Sequence, residues 1–294
     1  MRPRASRQVS SSHKQISKLL LGFPIGPVTL GFEWGVRMSF TYIVAGFAVG
    51  LLVGMTGVGG GSLMTPLLTL LFGVNPAVAV GTDLAFASIT KGVGTITHRL
   101  NGTVQWHIVR RLCMGALPAA LVATLALSQF GTLSKEIGQL IRYSIAGSVL
   151  LTVVALIFRG RMLAWVHASP GRQLHGKTLA TATVVSGVVL GTLVTVSSIG
   201  AGAIGATLLV MLYPRLTPAE VAGTDIAYAV PLTAIAALGH WWLGSIDWML
   251  LLTLLVGSVP GITLGSMAAK VVPEKVLRVV LALTLTTVAY KLIQ

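Results

Sequence analysis

The sequence predicts an all-α integral membrane protein made of two inverted repeats, each with about five helical elements. Hydrophobic residues make up 54% of its 294 residues and charged residues only 10%, and its mean hydropathy is +0.86. Soluble domains carry about a quarter charged residues, so this composition excludes them. Long apolar segments follow one another along the chain, and its two halves share a residue pattern. We therefore expect about eight to ten membrane segments, including one short broken or re-entrant element per repeat.

Ten apolar segments account for the membrane-embedded part of the sequence. A helix needs about 20 residues to cross the hydrocarbon core. Eight segments approach or reach that length: 41–55, 77–97, 108–127, 137–158, 178–196, 219–242, 249–269 and 275–293. The other two, 62–72 and 203–213, are short, and each follows a glycine-rich stretch. We expect these two to be the broken or re-entrant elements.

Polar stretches divide the chain into four parts. An N-terminal extension covers 1–38, the first repeat 39–158, a basic cytoplasmic linker 159–177 and the second repeat 178–294. The linker contains a Ser-Pro-Gly turn signal. Two interpretations of the extension stay open. Either Met38 is the physiological start, because an apolar segment begins directly after it, or the chain starts at Met1 with a cytoplasmic tail and a further membrane-associated segment.

The two halves match when the chain is compared with itself at a shift of 142 residues. The matched positions are Gly81 and Gly223, Thr82 and Thr224, Asp83 and Asp225, His98 and His240, Trp106 and Trp248, and Pro118 and Pro260. Chance similarity between apolar helices rarely aligns such different side chains, so we infer an internal duplication. Repeats of this kind are typical of secondary transporters, whose substrate site lies at the repeat interface.

The basic residues set the orientation, because short cytoplasmic loops are enriched in Lys and Arg. The loops around residues 99–111, 159–177 and 270–278 are predicted inside, and the loops near Ser134 and Ser245 outside. With five elements per repeat, this pattern inserts the two halves in opposite directions. It also accounts for the net charge of +14 without nucleic-acid binding, since the basic residues flank apolar segments and form no continuous face.

The stretch Gly54 to Leu68, GMTGVGGGSLMTPLL, places glycines and hydroxyl residues inside an apolar region. In lipid, irregular backbone is stable only inside protein or beside a wet cavity. A helix interrupted here would offer free amide groups and the positive end of the next helix dipole to an anion. The alternative is that these small residues only let helices pack closely. The candidate substrate-binding residues of the two breaks are Gly57, Gly59, Gly60, Gly61, Ser62 and Thr65 in the first half and Ser197, Ser198, Gly200 and Gly202 in the second.

Ionisable residues inside the predicted helices form a second group of candidates. Asp83 and Asp225 are costly at membrane depth, so we predict either proton coupling or a structural role in which each carboxylate holds the opposite break open. Lys91 has no charged counterpart, because Thr233 stands at the matching position. Its ammonium group binds the anionic substrate, extends toward the membrane interface or pairs with Asp83, and the sequence leaves these three roles open.

His98 and His240 end their predicted helices, where a charged imidazole favours the negative end of the helix dipole. A proton relay is the alternative role. No familiar zinc-ligand spacing accompanies either histidine, so we predict no metal site and no cofactor. Cys113 is the only cysteine, which excludes an intrachain disulfide.

The glycine-rich and G-T-D motifs resemble those of the sulfite exporter TauE/SafE family. The first repeat reads GLLVGMTGVGGGSLMTPLLTLLFGVNPAVAVGTDLAFASITKGVGTITHRLNGTVQW and the second GAGAIGATLLVMLYPRLTPAEVAGTDIAYAVPLTAIAALGHWWLGSIDW. The resemblance covers residues 39–294. It implies a multi-pass permease of the bacterial inner membrane that exports sulfite or an organosulfonate. The second half departs from the first at its break, VSSIGAGAIG against MTGVGGGSLM, so the two halves contribute unequally to a site.

This pattern favours a secondary transporter of a small sulfur-containing anion that works by alternating access. The sequence leaves open whether transport is coupled to protons. An anion channel is the first alternative. An intramembrane enzyme is the weaker one, because neither a G-x-S-x-G nor an H-E-x-x-H motif is present. The expected partners are the anionic substrate and the lipid bilayer, with no nucleic acid, and the sequence leaves a homo-oligomer open.

Overall fold

The computed structural model describes residues 40–56, 61–130, 135–168 and 174–268, together with residues 283, 285–287 and 290. By its internal contacts the chain divides into Met1–Arg37 and Met38–Gln294. The division falls next to the predicted end of the N-terminal extension, whose residues 1–38 lie outside the described part. The second unit contains all of the helices below.

The described segments are helical, with no strand among them, as the composition predicts. Nine helices follow one another within these ranges. They are α1 (Phe40–Thr56), α2 (Gly61–Leu71), α3 (Pro76–Leu100), α4 (Trp106–Phe130), α5 (Lys135–Ala168), α6 (Gly176–Ser197), α7 (Ala203–Leu212), α8 (Pro218–Trp242) and α9 (Trp248–Ala268). The two short helices, α2 and α7, stand where the sequence predicts the broken elements.

Proline and its neighbours set several helix starts. Thr217 caps α8 with its hydroxyl on the Glu220 amide, while the Glu220 carboxylate accepts a 2.8 Å bond from the Thr217 amide. Pro218 follows as the first helical residue, where a missing N–H costs nothing. In the first half, Asn75 lies directly before α3 and Ala77 lies in its first turn. The Asn75 side-chain oxygen accepts a hydrogen bond from the Ala77 amide at 2.9 Å.

Helix α5 is longer than the sequence analysis expects. The predicted linker begins at residue 159, but α5 continues to Ala168, so the first ten residues of that linker are helical. Its polar residues suggest a connector, yet the segment RGRMLAWVHA contains good helix formers and no proline. Pro170 disfavours helical backbone at the residue before it, which accounts for a helix end near Ala168.

Five described helices are long and apolar enough to cross a membrane, namely α4, α5, α6, α8 and α9. Helix α3 has 25 residues and, at about 1.5 Å per residue, a crossing length of about 38 Å. It contains Asp83 and Lys91, which lower its hydropathy. The predicted segment 275–293 lies mostly outside the described residues.

Close helix pairs connect the first helix of each half to the fourth helix of the other half. A Cβ atom on Gly115 of α4 would collide with the Val184 carbonyl of α6, and one on Gly257 of α9 would collide with the Ile43 carbonyl of α1. Glycine lets the backbones touch, as is common between membrane helices. The partner residues ascend together in each pair, so α1 runs parallel to α9 and α4 runs parallel to α6.

Helices α3 and α8, which correspond to each other in the two halves, pack together in opposite directions. Gly81 near the start of α3 lies against Ser245 just after α8, while Gly223 near the start of α8 lies against Thr103 just after α3. Two antiparallel helices are exchanged by a two-fold axis perpendicular to them. Because α8 has the length and hydropathy to cross a membrane, this arrangement supports the predicted inverted repeat.

Candidate functional site

The second half contains a break in the helix, as its glycines predict. Helix α6 ends at Ser197 and α7 begins at Ala203. Between them Ser198 adopts a left-handed conformation with φ of 58°, and Gly200 and Gly202 have φ of 131° and 140°. Only glycine adopts the last two conformations without strain, so these residues make the interruption. The corresponding Gly57, Gly59 and Gly60 of the first half lie outside the described residues, between Thr56 of α1 and Gly61 of α2.

The backbone of the second break uses some of its own amide groups. The Gly205 amide donates to the Gly200 carbonyl at 2.9 Å, and the Ala206 amide donates to the Gly202 carbonyl at 2.8 Å. The amides of Ala203 and Ile204, the first two of α7, have no partner within the helix, as at any helix start. The positive end of α7 lies in a buried segment, at the break where the sequence predicts an anion site.

Asp83 on α3 lies against both broken segments. The Thr65 hydroxyl of α2 donates to Asp83 Oδ2 at 2.5 Å. Ser198 of the second break is near enough to act on the same carboxylate. Yet neither Ser198 Oγ nor Asp83 Oδ1 has a hydrogen-bond partner among the described residues, although both atoms are buried. Unsatisfied buried polar atoms are rare in proteins, and two of them beside a broken helix indicate a place for a polar ligand.

Lys91 reaches the second break from two turns further along α3. Its ammonium group donates to the Ala201 carbonyl at 2.9 Å, and only 5% of the residue is exposed. Asp225 and Asp83 both act electrostatically on it. Lys91 therefore lies within electrostatic range of both aspartates, whereas the sequence predicts Asp83 as its only pairing partner.

Asp225 on α8 faces the first turn of α7. A Cβ atom on Gly205 would collide with Asp225 Oδ1 and would lie 2.8 Å from the Tyr228 hydroxyl. Tyr228 is fully buried, and its hydroxyl has no hydrogen-bond partner among the described residues. The absence of a side chain at residue 205 thus lets a carboxylate and a phenol approach the helix start together.

Each G-T-D motif has three structural functions. Its glycine lets the loop of the other half approach, as described for Gly81 and Gly223. Its threonine accepts a hydrogen bond from a backbone amide of the other half. Asp247 N, directly before α9, donates to Thr82 Oγ1, and Gln105 N, directly before α4, donates to Thr224 Oγ1, both at 3.1 Å. Its aspartate faces a broken segment. We call the two threonine contacts the hydroxyl clamps.

The hydroxyl clamps lie at opposite ends of the α3–α8 pair. Thr82 is near the start of α3, and Thr224 is near the start of the antiparallel α8. Only the clamp at Thr224 is reinforced, because Gln105 Nε2 also donates to Glu220 Oε1 at 2.7 Å. Val78 stands at the position that matches Glu220, so the other clamp has no such bond.

His98 and His240 make equivalent contacts at the ends of α3 and α8. Nδ1 of His98 lies 2.9 Å from Thr103 Oγ1, and Nδ1 of His240 lies 3.0 Å from Ser245 Oγ. His240 also donates from Nε2 to the Thr195 carbonyl of α6 at 2.9 Å, since a carbonyl only accepts. These contacts fix loops and neighbouring helices, and they leave the histidines apart from the aspartate–lysine group.

Ser197 fixes the break to α5. Its hydroxyl donates to Ser148 Oγ at 3.0 Å and accepts from the Ile199 amide at 3.2 Å. Both contacts lie within the protein, so Ser197 positions the break, while the Ser198 hydroxyl has no partner among the described residues. Gly61 and Ser62, also predicted for the site, form the first turn of α2, and their side-chain surroundings lie outside the described part.

We define the central site as Thr65, Asp83, Lys91, Ser198, Ala201, Gly205, Asp225 and Tyr228. Its three charged residues, Asp83, Lys91 and Asp225, are at most 5% exposed. A substrate therefore needs a rearrangement to reach them. The described residues contain no group of three or more His, Cys, Asp or Glu side chains that could hold a metal ion.

Sequence reasoning missed Gly205, Tyr228, Ala201 and the hydroxyl clamps. The shift between the halves marks Thr82 and Thr224 as equivalent, which would have singled out the clamps. Tyr228 stands at the position that matches Phe86. A polar ring in one half where the other half has an apolar ring could have indicated a functional role for Tyr228. Ala201 contributes only a carbonyl, so no side-chain pattern could have indicated it.

Comparisons with known proteins identify similar membrane proteins. The family model for sulfite exporter TauE/SafE proteins matches residues 42–292. The chain is 35% identical over 229 residues to the probable membrane transporter protein YjnA of Bacillus subtilis strain 168, a match covering 78% of this chain and 89% of that protein. It is 30% identical over 247 residues to the probable membrane transporter protein YdhB of the same organism, covering 82% and 95%. No solved structure matches the chain significantly.

Proposed function

The chain belongs to the sulfite exporter TauE/SafE family of membrane transporters, and from that premise we propose that it exports a small sulfur-containing anion, either sulfite or an organosulfonate, by alternating access. The bacterial inner membrane is the proposed location. The chain is a multi-pass membrane protein, and the proposed substrate is charged, so a protein pathway is needed for it to cross lipid.

The observation that carries the proposal is the buried second break, where Ser198 Oγ has no hydrogen-bond partner among the described residues. The amides of Ala203 and Ile204 and the Ser198 hydroxyl supply neutral donors, and Lys91 supplies a positive charge nearby. Sulfite and sulfonates present three oxygen acceptors around one sulfur atom, so several donors can bind them at once. Backbone amides at a helix start suit such anions because the helix dipole favours negative charge.

The arrangement of the two halves supports alternating access. Antiparallel α3 and α8 lie at the centre, and one hydroxyl clamp connects the halves at each end of this pair. Opening one clamp while the other stays closed would expose the central site to one side of the membrane at a time. Burial of the three charged residues favours a carrier with a closed site over a channel with a continuous pore.

The charges of the central site support proton coupling. Two carboxylates and one ammonium give a net charge of −1 when all are ionised, which opposes an anionic substrate. Protonation of one aspartate brings the site to neutrality before the anion binds. We therefore propose that the anion moves together with at least one proton held by Asp83 or Asp225, and that both histidines are structural.

Transport by purified protein in sealed liposomes tests the function. Sulfite and short organosulfonates would be loaded, and efflux followed under imposed pH gradients. Saturable efflux, counterflow by unlabelled substrate and an unchanged substrate molecule are the expected results. No efflux of any member of this panel under either gradient would contradict the proposal.

The same assay separates the alternatives. An anion channel would give non-saturating flux without counterflow, and an intramembrane enzyme would convert the anion into another molecule. Protein-free liposomes, together with liposomes containing a variant in which Asp83 and Asp225 are both replaced by Asn, serve as matched controls for passive leakage.

A further inference from the structure

We propose that the Lys91 ammonium group is a tethered internal cation that fills the position of a free monovalent coupling cation in the central site. The inference rests on the proposed transporter function and specifies its ion requirement. It predicts that transport needs no sodium or potassium ion, and that removing the Lys91 side chain creates a binding site for such an ion.

The neighbours of Lys91 are those of a small cation. Its nitrogen binds the Ala201 carbonyl, which belongs to an unwound segment, and two carboxylates act on it from α3 and α8. In transporters with discontinuous helices, unwound backbone carbonyls coordinate sodium ions. The Lys91 nitrogen therefore has an oxygen acceptor and two negative charges around it, as a bound cation does.

The second half has no lysine at the position that matches Lys91. Thr233 stands at the position that matches Lys91, and its hydroxyl donates to the Ala229 carbonyl of its own helix at 2.8 Å. It reaches no residue of a broken segment through that bond. The duplicated site thus contains two carboxylates but one fixed positive charge, which joins α3 of the first half to the break of the second half.

Fixing the cation to α3 has a mechanical consequence. The Lys91–Ala201 bond holds the break while both carboxylates act electrostatically on the ammonium group. When a substrate oxygen competes for the same nitrogen, the bond to Ala201 weakens and the break is released. An exchangeable ion could diffuse away at this step, whereas a tethered ammonium returns when the substrate leaves.

Cation dependence of the wild type and of Lys91→Ala tests the proposal. Efflux of sulfite would be measured in sodium, potassium, propylammonium and N-methylglucamine buffers. Wild-type efflux is expected to be equal in all four. Lys91→Ala is expected to lose at least about tenfold in N-methylglucamine and to regain at least about threefold in sodium or propylammonium, because these ions fit the vacated space. Wild-type efflux that stops without sodium would overturn the proposal.

Thermal unfolding in detergent provides a second readout that does not need transport. Sodium or propylammonium should raise the Tm of Lys91→Ala by about 3 °C or more relative to N-methylglucamine, and should leave the wild type unchanged. The double variant Lys91→Ala/Asp225→Asn should lose this shift. Thr90→Ala is the matched control, because the Thr90 hydroxyl bonds only to carbonyls of its own helix.

Lys91→Gln separates charge from hydrogen bonding and covers the case in which Lys91→Ala does not fold. Glutamine keeps a donor that can reach a carbonyl but has no charge. The proposal predicts at least about a tenfold loss of sulfite efflux for this variant, whereas full efflux would show that the bond alone matters and would overturn it. If the wild type moves no sulfite at all, the proposed substrate fails, while the cation-dependent Tm of the variants still decides the role of Lys91.

Discussion

Asp83 and Asp225 occupy matching positions in the two halves, yet their carboxylates have different neighbours. Asp83 binds the Thr65 hydroxyl and lies near Ser198, whereas Asp225 lies against Gly205 and near Tyr228. The two carboxylates therefore have different surroundings among the described residues. The break sequences of the two halves also differ, with VSSIGAGAIG in the second half and MTGVGGGSLM in the first.

Replacing either aspartate by asparagine should reduce sulfite efflux at least about tenfold, equivalent to about 1.4 kcal/mol. Asparagine keeps the size of the side chain but cannot exchange a proton or balance Lys91. Efflux along an imposed pH gradient measures the effect. Asp247→Asn is the control, because Asp247 is exposed and its side chain caps the Leu250 amide, which asparagine can also do. Full activity of both variants at every pH would rule out coupling through these groups.

Gly205→Ala should lower the free energy of unfolding by about 1–3 kcal/mol and abolish substrate-dependent stabilisation. The added methyl group would meet the Asp225 carboxylate and the Tyr228 hydroxyl. Thermal unfolding in detergent with and without sulfite measures both effects. Gly92→Ala provides the comparison, since nothing lies within 4 Å of a Cβ at that position, and alanine is the better helix former by about 1 kcal/mol. Equal Tm values for the two variants would contradict this account of Gly205.

The ionisable members of the central site could be identified from the sequence because charge inside an apolar segment is costly. Asp83, Asp225 and Lys91 stood out for that reason. Their mutual arrangement could not be identified, because it depends on how α3 packs against α8 and against the break. Gly205 is one of 34 glycines, and only its neighbours distinguish it from the rest.

The broken segment between α6 and α7 depends on backbone conformations that residues with side chains avoid. Gly202→Ala should therefore destabilise the break by about 1–3 kcal/mol, because its φ of 140° lies in a region used almost only by glycine. We expect at least about a tenfold weaker apparent affinity for sulfite in efflux assays. Gly138→Ala in α5 should leave the affinity unchanged, since a Cβ there meets open space. Wild-type affinity of Gly202→Ala would remove the break from the binding site.

Helix positions followed from the sequence more reliably than helix ends. The apolar segments give the existence and order of α1 to α9, since each is bounded by glycine, proline or polar residues. The sequence predicts the end of the α5 segment ten residues too early. The charged residues at 159 and 161 are typical of a loop, but they also suit an exposed helix. Polarity alone does not distinguish these two cases.

The two hydroxyl clamps should control which face of the protein opens. Thr82→Val removes the acceptor for Asp247 N, and Thr224→Val removes the acceptor for Gln105 N. A lost hydrogen bond of about 0.5–1.5 kcal/mol shifts a two-state equilibrium about two- to tenfold. With the predicted orientation, Thr82→Val favours the outward-open state and Thr224→Val the inward-open state.

Labelling of a cysteine at the break measures this shift. Ala201→Cys would be introduced with Cys113→Ala, which removes the only native cysteine. An impermeant maleimide should label the Thr82→Val protein faster from outside and the Thr224→Val protein faster from inside, each by about two- to tenfold. Thr181→Val is the control, because that exposed hydroxyl bonds to its own helix. Identical labelling from both sides in all variants would show that the clamps do not gate access.

The sequence predicts a duplication, but it does not predict how the two halves are joined. A shift of the chain against itself matches residues along the sequence and carries no information about which helices touch. The contacts of Gly115 with α6 and of Gly257 with α1 show that the first helix of each half packs on the fourth helix of the other. The first helix of each repeat is therefore covered at this contact by a helix of the other repeat.

That crossed packing has a consequence for biogenesis. Helix α1 is synthesised long before its partner α9. Until α9 is inserted, the glycine-lined face of α1 can contact only lipid or an insertion factor. Two separately expressed fragments, divided near residue 170, should each be degraded alone and should recover an intact transporter when produced in the same cell. Neither fragment is expected to form a stable protein without the other.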